Sequence, residues 1–272
     1  MRYSLKFMRR SLLASLLLFV LPAIAHACGP YRLAFYEYAS LYHRDADGQY
    51  RGIDKDVVEE LAKRSGCRFN TVLESRARTW ALLESGGLDI TVSALITPER
   101  ERLVELVPYL QSRRVVLLQN RSVPTTSEAF LMDAKRNLLT VRASRDGPQM
   151  EALLAQLRER GRIVEAPDQP TAIRAFKAGR ADALLIGVTS LALVRQQDPD
   201  FNSYEAAIWA PTERVVGAFA MSRERVNEVD RARLREALQA MRLDGSLDAI
   251  MRRHLGDKLA HALRLSDAEP RR

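Results

Sequence analysis

The sequence predicts an α/β fold with parallel strands, and three observations support this prediction. Short apolar segments rich in β-branched residues alternate with segments of helical periodicity along the first hundred residues. Turns containing glycine and aspartate separate them, as at Asp47-Gly48. The composition, 47% hydrophobic and 28% charged residues, is ordinary for a folded protein. A chain of 272 residues is long enough for one two-lobed unit or two domains. Alternation of strands and helices favours a parallel sheet.

The clearest predicted elements lie in the first hundred residues. Val57, Val58 and Leu61 form one apolar face of a helical segment, and Ser65-Gly66 ends that segment. In chain order, the predicted elements are a strand at 31–35, a helix at 53–64, a strand at 67–72, a helix at 79–84, a strand at 88–94 and a helix from residue 98.

Residues 88–100 are predicted to form a strand that runs directly into a helix. Thr97 suits the N-cap and Pro98 suits the first helical position. Free backbone N–H groups at such a junction favour binding of an anion. The planar guanidinium of Arg100 would suit a carboxylate there. The alternative is that Arg100 is a surface residue in the first turn of the helix.

The remaining chain continues the same alternation. The predicted strands lie at 115–118, 137–141, 163–164 and 183–186, and a further extended segment lies at 215–221. The predicted helices lie at 148–160, 170–177, 190–196, 227–243 and 246–254.

Residues 1–27 are predicted to be a signal peptide. A basic start precedes an apolar stretch at 12–24, and Ala25-His26-Ala27 fits the small-x-small cleavage pattern. The alternatives are an uncleaved membrane anchor and a lipoprotein signal that ends at Cys28. Removal of four basic residues lowers the formal net charge from +8 to +4.

Several function classes lack support in the sequence. The basic residues are scattered, and no nucleic-acid-binding module is present. The histidines at 26, 43, 254 and 261 show no metal-ligand spacing, and no P-loop, nucleophile elbow or dinucleotide fingerprint occurs. We therefore expect no catalytic residues, no metal, no cofactor and no nucleic-acid partner.

Six short motifs, in order, resemble the bacterial extracytoplasmic solute-binding proteins of family 3. They lie at 52–57, 88–90, 96–100, 107–109, 178–183 and 243–250. The resemblance covers roughly residues 30–256 and implies the two-lobed type 2 periplasmic-binding fold of amino-acid-binding ABC transporter components. It implies a hinge of two crossover segments, near 111–114 and 211–217. Lobe one is then 28–111 plus 216–257, lobe two is 112–215, and 258–272 is a flexible tail.

The same resemblance implies a ligand site between the lobes. Arg100 matches the arginine that holds the ligand carboxylate in the family, and Ser93 and Leu95 match positions that supply backbone and hydroxyl groups. Tyr38 matches an aromatic residue that flanks the ligand. The alternative for Tyr38 is packing in the core.

The sequence also departs from the family pattern. Gly187 replaces an acidic residue that binds the α-ammonium group, and Arg76 replaces a second aromatic residue. Ser144-Arg145-Asp146 replaces a Gly-Thr-Thr loop. Arg76 and Arg145 therefore join the candidate ligand-binding residues, and a dicarboxylate or other small organic anion is favoured over a zwitterionic amino acid. The alternative is that both arginines point to solvent.

The two cysteines, Cys28 and Cys67, form an even pair in an exported protein, which favours a disulfide. In the family, the strands that follow them are parallel neighbours, so both cysteines would lie at the same end of a sheet. The alternative is two reduced thiols.

The resemblance implies a monomeric periplasmic protein that is not an enzyme. Its ligand would be a small molecule bearing a carboxylate, and its protein partner an ABC transporter permease. The alternative is a sensory or dehydratase-like enzymatic derivative of the same fold.

We expect export to remove residues 1–27, because the small residues at 25 and 27 fit the cleavage site. N-terminal sequencing of the mature protein should begin at Cys28. A mature chain whose Cys28 carries a diacylglyceryl group would contradict this expectation and make the protein membrane-tethered.

Overall fold

Two five-stranded sheets covered by helices organise residues 27–265, the range that this computed structural model describes. The strands are β1 (Tyr31–Phe35), β2 (His43–Arg44), β3 (Tyr50–Arg51), β4 (Phe69–Leu73), β5 (Ile90–Leu95), β6 (Val104–Ser112), β7 (Arg114–Leu118), β8 (Leu138–Val141), β9 (Ile163–Ala166), β10 (Ala183–Gly187), β11 (Glu205–Ala207) and β12 (Val215–Ser222). The helices are α1 (Ile53–Ser65), α2 (Arg76–Glu84), α3 (Pro98–Leu103), α4 (Ser127–Met132), α5 (Pro148–Glu159), α6 (Gln169–Lys177), α7 (Val188–Gln197), α8 (Glu228–Leu243) and α9 (Ser246–Ala262), with a 3₁₀ turn at Pro199–Asn202. The predicted signal peptide lies outside the described residues, apart from Ala27.

Both sheets are mixed rather than purely parallel. The first has the order β4-β1-β5-β12-β6, in which β1 is parallel to β4 and β5 while β12 is antiparallel to β5 and β6. The second has the order β11-β7-β10-β8-β9, in which β7 is antiparallel to β10 and β11. The predicted parallel pairing of the strands at 31–35, 67–72 and 88–94 is thus confirmed. The strands next to the crossings pair antiparallel, because the chain there enters or leaves a sheet without a crossover helix.

The chain passes between the two sheets twice. Arg113 separates β6 from β7, and residues 208–214 separate β11 from β12. We call the part built on the first sheet lobe one and the part built on the second sheet lobe two. Apolar residues pack on both faces of each sheet, so each lobe has its own core.

Local sequence explains where the helices near the cleft begin. Gly52 precedes α1 with a φ of 138°, and a Cβ there would lie 2.2 Å from the carbonyl oxygen of Leu41. Thr97 caps α3, with its hydroxyl accepting from the Arg100 amide at 3.4 Å. Ser75 caps α2, which begins at Arg76 and not at the predicted residue 79.

The C-terminal helix is longer than predicted. It continues past a break at Gly256, where φ is 73°, and ends at Ala262. Ala260 and Leu263 are buried, and Arg264 pairs with Asp248. Residues 258–263 therefore pack against lobe one, unlike the flexible tail predicted from residue 258, and residues 266–272 lie outside the described range.

No helix within residues 27–265 is both long enough and apolar enough to cross a membrane.

Cys28 and Cys67 form the predicted disulfide, and their Cα atoms are 4.4 Å apart. The bond joins the residues before β1 and β4, which are parallel neighbours. Both cysteines are at most 3% exposed.

Reduction of this disulfide should lower the free energy of unfolding by about 3–4 kcal/mol, because it removes a cross-link over 39 residues from the unfolded chain. Denaturant titration of oxidised and reduced protein measures the change. The Cys28→Ser/Cys67→Ser variant is the control and should match the reduced protein. Two thiols that react with a label in freshly exported, unreduced protein would contradict the assignment.

Candidate functional site

The candidate site lies between the lobes, at the carboxyl ends of parallel strands, where α/β sheets commonly bind ligands. Three side-chain hydrogen bonds among the described residues join the lobes there. Ser40 Oγ donates to the carbonyl of Thr189 at 2.9 Å, and Arg76 Nη1 donates to Ser144 Oγ at 3.5 Å. The third is a hydrogen bond between Arg114 and the Tyr38 hydroxyl.

Arg76 is the first residue of α2 and is only 9% exposed. Its Cζ atom lies 4.6 Å from the ring centroid of Tyr36 and 4.8 Å from that of Tyr38. No ion pair among residues 27–265 involves Arg76. Two cation–π contacts, each worth about 0.5–2 kcal/mol, only partly offset removal of the guanidinium from water. Arg76 is therefore a buried cation without an ion-pair partner in the described structure.

Arg100 is a second cation at the cleft. Its guanidinium lies 3.9 Å from the ring centroid of Trp80, and Nη1 donates to the carbonyl of Leu95 at 3.1 Å. Burial lowers the pKa of Arg100 to about 10, and the nearby charges of Arg76 and Arg145 add to this effect. It stays protonated at neutral pH, and within the described range it forms no ion pair.

Arg114 is a third arginine at the cleft, is buried, and was missed by the sequence prediction. Its Nε lies 2.5 Å from Asp146 Oδ1, and Nη2 donates to the carbonyl of Arg145 at 3.0 Å. Burial alone would lower its pKa, but the Asp146 carboxylate and the Tyr38 hydroxyl outweigh burial and raise it above the ordinary value. The register of β7 and β10 places Arg114 opposite Gly187.

A side chain at Gly187 would force the Tyr38 hydroxyl to shift. A Cβ atom there would lie 2.9 Å from the Tyr38 hydroxyl and 3.3 Å from Arg114 Nη1. Where the family has an acidic side chain, this chain thus has Gly187, and the Arg114 guanidinium occupies the space beside it. The only sequence feature that could have pointed to Arg114 is its position next to the first crossing between the lobes.

Ser93 is hydrogen-bonded to Asp54, Tyr109 and Tyr36. With a φ of 48°, it turns its hydroxyl to Asp54, donating to the two carboxylate oxygens at 2.9 and 2.8 Å. Its amide donates to the Tyr109 hydroxyl at 2.9 Å, and its carbonyl accepts from the Tyr36 hydroxyl at 2.7 Å. Its amide, carbonyl and hydroxyl thus all take part in the hydrogen-bond network around Asp54.

Asp54 is the centre of this network and is 1% exposed. Tyr109 donates a short hydrogen bond to it. Burial raises the pKa of Asp54 to about 7, although hydrogen bonds from Tyr109 and Ser93 and the charge of Arg76 act in the opposite direction. The pKa of Tyr109 is also raised by burial and by the carboxylate.

Four of the six predicted site residues line two openings of the cleft, and Ser93 and Arg100 line neither. Tyr38 and Arg76 line a cavity of about 220 Å³. Leu95 and Arg145 line a larger one, of about 710 Å³, beside the first residues of α3 and α5. Arg145 is exposed.

The first turn of α5 already holds a carboxylate. Glu213, in the second crossing, accepts from the amides of Gln149 and Met150, the latter at 3.2 Å. Glu213 therefore occupies the anion position that this helix start offers.

No group of three or more histidine, cysteine, aspartate or glutamate side chains suited to a metal ion occurs in the described part of the chain.

Replacement of Asp54 by Asn should change the pH dependence of stability. An unfolded carboxyl with a pKa of 3.8 that rises to about 7 on folding stabilises the protein fully below about pH 4, and this contribution is lost as the pH rises through about 7. The free energy of unfolding of the wild type minus that of the variant should fall by on the order of 4 kcal/mol from about pH 4 to pH 8. Denaturant titrations across this range measure it, and a difference independent of pH would contradict the assignment.

Solved structures with similar folds are binding proteins and a sensor domain. The arginine-, lysine- and histidine-binding protein ArtJ of Geobacillus stearothermophilus aligns with a TM-score of 0.72 at 17% identity, covering 84% of this chain and 96% of that one. A substrate-binding protein of an ABC uptake transporter from Streptococcus pneumoniae, with bound histidine, aligns with a TM-score of 0.71 at 18% identity, covering 84% and 92%. A histidine kinase sensor domain aligns with a TM-score of 0.70 at 17% identity, covering 85% and 97%.

These similarities show the two-lobed fold of periplasmic binding proteins. Comparison with curated proteins finds no match. The sequence matches the model of bacterial extracellular solute-binding proteins, family 3, over residues 34–257. Because that match spans most of the 272 residues, the chain belongs to the family 3 solute-binding proteins.

Proposed function

We propose that this protein is a periplasmic binding protein that captures a small carboxylate-bearing molecule between its lobes for an ABC transporter. Family membership supports a solute-binding role. The observation that carries the ligand class is the pair Arg76 and Arg100, which lie at the cleft without an ion-pair partner in residues 27–265.

A ligand carboxylate would relieve an electrostatic cost that these arginines carry. A cation removed from water without an anion is unfavourable, and closure of the cleft would remove more water. A carboxylate that accepts from Arg100 would replace that water with charge-assisted hydrogen bonds. A second anionic group could accept from Arg76.

The residues at the end of β10 favour an organic anion over a zwitterionic amino acid as the ligand. Gly187 cannot present a carboxylate to an ammonium group, and the nearby Asp146 carboxylate is already paired with Arg114. The ligand that we favour is therefore a dicarboxylate or other small organic anion.

The two chain crossings support closure of the lobes around that ligand. We assign residues 28–111 and 216–257 to lobe one and residues 112–215 to lobe two, with hinges near 111–114 and 211–217. Rotation there would make or break the contacts of Ser40, Arg76 and Tyr38 across the cleft. We further propose that the mature protein is monomeric.

Sensing is a second candidate function, favoured by the similarity to a histidine kinase sensor domain. Crosslinking of the exported protein in membranes separates the two candidates. Capture of a transporter permease would support transport, and capture of a sensor kinase would support sensing.

Arg100→Ala should weaken ligand binding by about 2–5 kcal/mol, or roughly 30-fold to several thousand-fold, because it removes a charge-assisted pair from a closed cleft. Isothermal titration calorimetry against a panel of organic acids and amino acids measures this. The matched control is Arg102→Ala, which removes an exposed arginine from the same helix and should leave affinity unchanged.

Two outcomes would contradict the proposed ligand class. One is tight binding of lysine or arginine by the wild type. The other is an organic-acid affinity that Arg100→Ala leaves unchanged.

A further inference from the structure

The environment of Arg76 has the features of a binding site for a cation. Tyr36 and Tyr38, which we call the tyrosine clamp, place their ring centroids 4.6 and 4.8 Å from its guanidinium carbon. The face of an aromatic ring is negative, so two rings at this distance attract a planar cation.

Acidic side chains line the same cavity. Glu37, Glu74 and Asp168 border the opening of about 220 Å³ beside the clamp. Glu74 pairs with Arg32 and Arg78, and Asp168 accepts from the Thr171 amide at 2.8 Å. Glu37 takes part in no ion pair within residues 27–265. Rings and carboxylates together give this cavity the character of a cation site.

The chain itself supplies the cation. Arg76 is fixed at the first position of α2, behind the Ser75 N-cap, and its guanidinium reaches Ser144 of lobe two. A ligand with a guanidinium or ammonium group would have to displace this side chain from the clamp. An anionic ligand would not, because the outer N–H groups of Arg76 can donate to it.

We propose that Arg76 is a specificity-determining residue whose guanidinium is a built-in occupant of the tyrosine clamp. It excludes ligands with cationic side chains from the cleft, and its removal converts the clamp into a binding site for a guanidinium ligand. The inference deepens the proposed function and rests on it for the location of the ligand between the lobes.

The test is binding of n-propylguanidinium, which has the shape of the missing side chain, to the Arg76→Ala protein. Calorimetry should show binding at least about tenfold tighter than to the wild type, for which no saturable binding is expected. The uncharged isostere n-propylurea should not show this gain. L-Arginine should behave like n-propylguanidinium.

Two further variants separate the clamp from general loosening of the cleft. Arg76→Lys keeps a cation at the site and should show no gain. Arg76→Ala/Tyr38→Leu removes one ring of the clamp and should lose the gain. Thermal unfolding by circular dichroism verifies that each variant is folded.

Three results would overturn the inference. The first is equal affinity of Arg76→Ala and the wild type for n-propylguanidinium, and the second is binding of n-propylurea by Arg76→Ala as tight as that of n-propylguanidinium. The third is a gain of n-propylguanidinium binding that persists in Arg76→Ala/Tyr38→Leu. Organic-acid binding by the wild type, measured in parallel, tests the proposed function separately. A gain of n-propylguanidinium binding without organic-acid binding by the wild type would uphold the clamp and refute the ligand class. Organic-acid binding by the wild type without a gain of n-propylguanidinium binding in Arg76→Ala would uphold the ligand class and refute the clamp.

Discussion

The cleft must accommodate guanidinium groups held partly or fully away from water, and this requirement shapes its surroundings. The protein stabilises each group differently. Arg114 has a buried carboxylate partner in Asp146, whereas Arg76 lies against two tyrosine rings and Arg100 lies against Trp80. Aromatic faces stabilise a cation without neutralising it. Arg76 and Arg100 therefore keep their positive charges without an ion-pair partner in residues 27–265, while Arg114 joins the lobes through its hydrogen bond with Tyr38.

The buried hydrogen-bond network around Asp54 is connected to Arg76 in the cleft through Tyr36. Asp54 comes from α1, Ser93 from β5 and Tyr109 from β6, so one carboxylate connects three elements of lobe one. The Tyr36 hydroxyl donates to the carbonyl of Ser93, and the ring of Tyr36 contacts Arg76. The positive φ of Ser93 allows these bonds. A polar group in the core of lobe one is thus coupled to a cation in the cleft through only two intermediate residues.

Most elements could be predicted because their signals are local. The apolar face of α1 and the Thr97-Pro98 start of α3 depend on residues within a few positions of each other. Failures occurred where local signals competed or were weak. The Ser75 cap places the start of α2 at Arg76, three residues earlier than predicted. Burial of Ala260 and Leu263 fixes a segment that was predicted to belong to a flexible tail. The antiparallel course of β12 depends on the return between lobes, which periodicity does not encode.

The sequence by itself determined the family, the two-lobed fold, the cysteine pair and the presence of arginines at positions where a ligand is expected. Only the tertiary structure decided what each arginine contacts. Arg114 faces Gly187 because β7 and β10 pair in one register, and Ser93 turns inward because Asp54 from a distant helix reaches it. Sequence motifs report residue types and spacing along the chain. The partner of a buried charge is instead set by strand pairing and lobe contact between residues far apart in the sequence.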